Sequence, residues 1–374
     1  MLNKIFENKG STNYLTHNFH TYPAKFPPQI PKYFIENYSK KNDTILDPFV
    51  GCGTTLVECM ISGRNSIGID LNPIATMVSK CKTLILSKKE VSDIEDFLTF
   101  LDAKINKSKF YSEFDYLNKL TFFNKDHWFQ ENVQIELSFI LNEIEKTNSQ
   151  KLETFLKTCF SSIIVKVSNQ ESDTRYASIN KNINDFKTLS LFISKGRDMI
   201  SRSKEYSQAA KKNTCKIFTK NSENLNYIND KSIDLVITSP PYANTYDYYL
   251  YHKLRMLWLS YDVKNVQDKE IGSRHKHSSQ KKEIKVFLDS IERCFKEVSR
   301  VLKKDKYAII IIGDSIIRGV HYNAKYFTQK IFEKYNMKLI NHDKENLKKT
   351  SKMFNPSFTN KIKDEHVLVF KKNK

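Results

Sequence analysis

The chain has 374 residues, more than one average domain and no more than two. Its 40% hydrophobic content supports a real core, and 28% charged residues with a mean hydropathy of −0.53 describe a soluble chain without an apolar run long enough for a membrane span. An excess of 61 Lys and Arg over 42 Asp and Glu, +19 in net charge, favours a polyanionic partner, although an AT-rich coding sequence would give the same Lys-, Asn- and Ile-rich composition.

The six cysteines form no CxxC pair, which removes the common zinc and thioredoxin-type readings and leaves reduced thiols. Residues 1–9 lack a secretory h-region, so a cytoplasmic location is expected. In chain order, 44–49 reads as a short apolar strand running into a glycine loop. Residues 54–62 read as a helix stopped by Gly63, and 65–70 as a second strand ending in a carboxylate. Between Pro73 and Pro240 there is no proline and one glycine, Gly196, and 85–213 is helix-like, for example at 133–144 and 152–167. A buried-type strand at 233–238 leads into Ser239-Pro240-Pro241-Tyr242. An amphipathic helix at 284–303 precedes an apolar strand at 307–312, and 337–340 pairs with 366–370 as a final hairpin. Alternating strands and helices predict an α/β doubly wound, Rossmann-like sheet with a helical insertion.

Two segments carry chemistry. Asp47-Pro48-Phe49-Val50-Gly51-Cys52-Gly53-Thr54-Thr55 places glycines after a first strand, where backbone can approach a ligand, and Asp70 ends the second strand, where a carboxylate suits two ribose hydroxyls. An acid at Asp47 would repel a pyrophosphate but suits a cationic ligand end, which favours S-adenosylmethionine over NAD; the alternative is a structural tight turn. In Ser239-Pro240-Pro241-Tyr242 the prolines remove two N–H donors and fix carbonyls as acceptors. A hydroxyl, a carbonyl and an aromatic face match an exocyclic amine on a flipped base.

With these residues the chain resembles the amino-methyltransferases of DNA, bacterial and archaeal modification enzymes making N4-methylcytosine or N6-methyladenine. His17 to Phe26 resembles the family motif beside the cofactor's methionine part, Asp47 to Thr55 its cofactor loop, Asp70 its ribose acid, and Thr238 to Tyr242 its catalytic tetrapeptide with the preceding Thr. Lys220-Asn221-Ser222 stands where the family usually has Gly-Asp before an adenine contact, so Asn221 departs from the pattern. The resemblance implies an S-adenosylmethionine-dependent methyltransferase fold with an antiparallel last strand. It divides the chain into a catalytic domain, 1–84 and 214–374, and a candidate target-recognition insertion, 85–213.

It also implies residue roles. Tyr22, Lys25, Phe26, Asp47, Phe49, Gly51, Gly53, Thr54, Asp70 and Asn221 would bind cofactor. Ser239, Pro240, Pro241 and Tyr242 would hold and stack the target base. Apart from the resemblance, Tyr246, as lining of a base pocket, and the clustered Arg274, Lys276, Lys281 and Lys282, as phosphate clamps, are candidate DNA contacts, against the plain alternatives of helix core for Tyr246 and a solvated charge run for the rest. His275 and His277, without nearby carboxylates or thiols, do not make a metal site. Ser239, where Asp or Asn goes mostly with adenine in the family, favours cytosine N4. The expected activity is methylation of a flipped cytosine in a specific duplex sequence, in a restriction-modification setting with a cognate endonuclease as partner, and without membrane or metal. The alternatives are adenine N6, an RNA base amine, and a non-enzymatic DNA-binding or cofactor-sensing protein.

Overall fold

A computed structural model describes Ile5, residues 10–346 and residues 363–373; the rest of the N-terminal stretch in which no leader was read lies outside the described residues. Seven strands form the main sheet: β1 Thr44–Asp47, β2 Asn65–Asp70, β3 Cys215–Thr219, β4 Ile233–Thr238, β5 Leu302–Gly313, β6 Met337–Asn346 and β7 Asp364–Lys372. Their order is β6-β7-β5-β4-β1-β2-β3. Strands β1 to β5 are parallel, and β7 runs antiparallel to both β5 and β6.

Both faces of the central strands are covered, which is why their middle residues are apolar toward both sides rather than alternating. On one face Ile45, Leu235, Ile237, Ile309, Ile311, Val367 and Val369 pack with Ile30, Phe34 and Ile35 of α1 (Gln29–Tyr38). On the other, Leu46, Val236, Ile310, Ile312, Leu368 and Phe370 share a core with Phe287, Ile291, Phe295 and Val298 of the helix Ile284–Val301. The alternation of neighbours between two cores is the period-2 pleat of the strands.

The chain moves from β1 outward through β2 to β3, then returns to lay β4 on the other side of β1, in register at Ile45–Leu235 and Leu46–Val236. That reversal opens a crevice at the carboxyl ends of β1 and β4, where α/β sheets bind ligands. Helix α2 (Thr54–Ile61) starts there from Gly53 at φ 78°, and a Cβ on Gly53 would come within 2.8 Å of Ser79 Oγ. Glycine is required on both counts.

Strand β3 is absent from the elements expected from sequence. It is a half-exposed edge strand, and Lys216 and Thr219 break its apolar run. Strand β5 begins at Leu302, five residues before the expected start, because Leu302 already pairs with Ile233; Lys303, Lys304, Asp305 and Lys306, at the solvent margin, lie in the register irregularity before the pairing resumes at Leu235–Tyr307. The final hairpin runs in the expected pairing and is longer than expected.

Four long helices, Lys88–Asp102, Glu131–Glu145, Gln150–Val167 and Lys187–Ala209, fill most of 85–213. Their apolar faces form one cluster that also takes in Phe19, Cys81, Leu254 and Trp258 from outside that stretch. Among the described residues no helix is long and apolar enough to cross a membrane.

Candidate active site

The loop after β1 is built around hydrogen bonds to Asp70. Gly51 N donates to Asp70 Oδ2 at 2.9 Å and Asn72 N to Oδ1 at 2.9 Å, so the carboxylate that ends β2 is pinned to the glycine loop. Burial pushes its carboxyl up to about 6 despite these donors. Tyr22 lies against Gly51, where a Cβ would sit 3.3 Å from the ring, and Ser79 Oγ donates to the Gly51 carbonyl at 2.8 Å.

One cavity opens at this point. Eight of the ten residues expected to bind cofactor line it: Tyr22, Lys25, Phe26, Phe49, Gly51, Thr54, Asp70 and Asn221. Asn221 takes its place in the wall despite its departure from the family pattern. Asp47 and Gly53 are not in the wall. Asp47 is 1% exposed, and its carboxylate accepts from Thr55 Oγ1 and Thr238 Oγ1, each at 2.7 Å, and from Phe49 N at 3.2 Å. It ties β1, β4 and α2 together behind the loop, with its carboxyl pushed up to about 6 by burial.

Ser239 and Pro241 line the same cavity, which joins the end of β4 to the glycine loop. Pro240 and Tyr242 lie beneath them. Tyr242 is 9% exposed, its ring rests where a Cβ on Gly313 would come within 2.8 Å, and its hydroxyl donates to Glu365 Oε1 at 2.7 Å. The sheet explains this: β7 pairs Glu365 directly with Gly313 of β5, so an acceptor and a gap lie side by side.

Glu270 also belongs to the wall, although nothing in the sequence marked it beyond a lone acid beside a basic loop. It is 7% exposed and accepts from Tyr248 N at 2.9 Å and Tyr249 N at 2.8 Å. Burial, opposed by these donors, pushes its carboxyl up to about 8. Tyr248, also in the wall, stacks with Tyr22 at 6.2 Å between centroids and 23° between planes. Among the further wall residues that sequence reasoning missed are Cys52, Asn72, Ser222 and Lys269.

The residues expected to meet DNA separate into two kinds. Arg274, Lys281 and Lys282 are exposed. Lys276 is not free: its amine donates to the Asp268 carbonyl at 2.8 Å and the Glu270 carbonyl at 2.7 Å, fastening the loop beneath the cavity. Tyr246 is half-buried, packed with Tyr248 and Tyr251. His277 is buried with Nδ1 at 3.1 Å from the Lys282 carbonyl, and among the described residues no group of three or more His, Cys, Asp or Glu side chains could hold a metal ion.

A sheet in this order, with an antiparallel seventh strand and its cavity at the switch point, is the fold of the S-adenosylmethionine-dependent methyltransferases. Residues 2–80 and 233–374 match the N6/N4 methyltransferase model described as DNA methylase, and the chain belongs to that DNA methylase family. It is similar to the Type II methyltransferase M.MvaI of Kocuria varians, 26% identical over 379 residues that cover 87% of this chain and 83% of that protein. It is also similar to the Type II methyltransferase M.MjaII of Methanocaldococcus jannaschii, 25% identical over 429 residues that cover 91% and 78%. A solved SAM-dependent methyltransferase from Methanosarcina mazei aligns at a TM-score of 0.36 and 10% identity, covering 95% of this chain and 99% of its own.

Proposed function

We propose that this DNA methylase methylates the exocyclic N4 amine of a flipped cytosine within a specific duplex sequence. The observation that carries the proposal is a single cavity wall containing both Asp70 with the glycine loop and Ser239 with Pro241. A cofactor and a base amine therefore have adjoining places.

The wall fits S-adenosylmethionine. Asp70 retains lone pairs for two ribose hydroxyls. The stacked Tyr22 and Tyr248 rings and the Glu270 carboxyl offer a sulfonium both π-faces and an acid. When bound, this group supplies a methyl carbon to the amine nitrogen as the carbon–sulfur bond breaks and its electron pair stays on sulfur. The protein's own part is positioning and electrostatics. Ser239 Oγ and the Pro240 carbonyl accept from the amine hydrogens, keep the nitrogen lone pair aimed into the cavity and stabilise positive charge as it grows there. The Tyr242 ring, buried beneath Ser239 and Pro241, braces the loop that holds the base, and the shed proton leaves to water.

The relatives' names as Type II methyltransferases support a place beside a cognate endonuclease, with methylation protecting host DNA. The helical layer at 85–213 and the exposed Arg274, Lys281 and Lys282 are the proposed DNA-contacting parts, the cations on phosphates and the layer reading sequence. Mass spectrometry of nucleosides from DNA methylated by the enzyme tests the proposal. N4-methyldeoxycytidine is expected; N6-methyldeoxyadenosine in its place overturns the choice of base, and no methylation of any duplex overturns the activity.

A further inference from the structure

Ser239 presents a problem to the proposed chemistry. A hydroxyl is a donor as well as an acceptor, and a rotor that turns its hydrogen toward the amine would repel it. The structure holds three groups in a row at this point. Ser239 Oγ donates to Tyr242 Oη at 3.4 Å, and Tyr242 Oη donates to Glu365 Oε1 at 2.7 Å. Only the last of the three is a group that accepts and never donates when ionised.

We infer that Glu365 is a positioning residue for methyl transfer, fixing the direction of the hydroxyl chain so that Ser239 turns its lone pairs to the target amine. The carboxylate forces the Tyr242 hydrogen toward itself, which leaves the phenol oxygen as an acceptor on its other side. Ser239 then has a place for its own hydrogen away from the base, and both its lone pairs face the cavity. Each bond in such a chain polarises the next, so the serine oxygen gains acceptor strength from a carboxylate it does not touch. This also bears on why a family of amine methyltransferases can use Ser where others use Asp: the charge is set back by two hydrogen bonds.

The fold supplies the arrangement. Glu365 is placed by its direct pairing with Gly313, and the missing side chain at Gly313 leaves the space the Tyr242 ring occupies. The Tyr242 ring is packed into the core that Val236, Ile312, Phe287 and Leu368 share.

The inference rests on Ser239 being the amine acceptor, and the test separates the two. Genomic DNA from a host lacking the gene is methylated with tritiated S-adenosylmethionine under single-turnover conditions, beside measurements of cofactor and DNA binding. Glu365→Gln keeps the shape but can donate to Tyr242 and reverse the chain; it should slow the methyl-transfer step about tenfold with both affinities unchanged. Tyr242→Phe, which keeps the ring, should slow it similarly, and the double variant should be no slower than Tyr242→Phe alone. Glu365→Asp, still acceptor-only, should recover part of the rate. A Glu365→Gln rate within twofold of wild type, or additive losses in the double variant, overturns the relay. Should Glu365→Gln not fold, a wild-type rate in Tyr242→Phe overturns it equally. If Ser239→Ala is fully active, the assignment of Ser239 fails instead.

Discussion

Thr238 and Asp47 meet across the two central strands, the Thr238 hydroxyl donating to Asp47 Oδ1 at 2.7 Å while Thr55 donates to Oδ2 at the same distance. They are 191 residues apart, yet this contact joins the carboxyl ends of β1 and β4 where the order of strands reverses. The crevice that holds the cavity is thus held open at its floor by a carboxylate with both oxygens occupied.

Asp47→Ala should therefore act on stability. It leaves two buried hydroxyls and the Phe49 N–H without their acceptor, and a loss of about 3 kcal/mol in urea unfolding is expected. The pH dependence has a definite sign. The carboxyl lies at about 6 in the fold against an ordinary 3.8, so its contribution is full below about pH 4 and is lost as pH rises through 6. Asp47→Asn should lack that decline, while the similar one from Asp70 remains in both proteins. Parallel unfolding curves at pH 4.5 and 7.5 would contradict this.

Cofactor affinity should show the opposite dependence. Asp70 accepts ribose hydroxyls best when ionised, and its carboxyl sits at about 6, so its share of the affinity should be lost as pH drops through 6, below the further rise toward pH 8 that ionisation of Glu270 brings. Asp70→Asn should bind more weakly by about tenfold and lose this dependence. Titration calorimetry between pH 5 and 8 checks both.

Glu270 predicts a proton balance. With its carboxyl pushed up to about 8, it is largely protonated at neutral pH, and a sulfonium beside it favours the ionised form. Binding of S-adenosylmethionine at pH 7 should release a proton, read from binding heats in buffers of different ionisation enthalpy. Glu270→Gln should abolish the release; an unchanged value would place the cofactor's charge elsewhere.

Gly313→Ala should damage the base site without touching the cofactor site. Its methyl would come within 2.8 Å of the Tyr242 ring, which is held by Glu365 and cannot withdraw freely. Methyl transfer should fall while cofactor affinity stays constant, and equal losses in both would mean the strain spreads across the sheet.

The cations of the 272–283 loop should divide by role. Arg274→Ala, Lys281→Ala and Lys282→Ala should each lower the salt dependence of duplex binding by about one counterion. Lys276→Ala should instead loosen the loop, lowering thermal stability and leaving the salt slope near wild type, because its amine is spent on two backbone carbonyls.

What could be read from the sequence was what backbone geometry demands. Gly51 and Gly53 are needed for left-handed turns, and the paired prolines end a buried strand, so the two ends of the cavity were visible in residue type alone. The division of labour among carboxylates was not. Asp47 looked like the acid facing a cation, but its partners Thr55 and Thr238 already occupy it, and only the fold brings Thr238 there. Glu270 and Glu365 are ordinary acids in sequence; each gains its meaning from a neighbour that pairing or loop closure supplies, Tyr248 for one and Gly313 for the other. Strand β3 was hidden because an edge strand with one wet face lacks the continuous apolar run of β4.

The core of the helical layer includes Leu254 and Trp258, which follow Tyr242 by 12 and 16 residues, and Phe19 from the segment leading to Tyr22. A layer that closed its own core could be exchanged between relatives as a cassette. This one is keyed into the catalytic scaffold from both ends, so a graft of 85–213 alone would leave Trp258 and Phe19 facing a foreign surface. Transplanting it into another methylase requires carrying those anchor residues along.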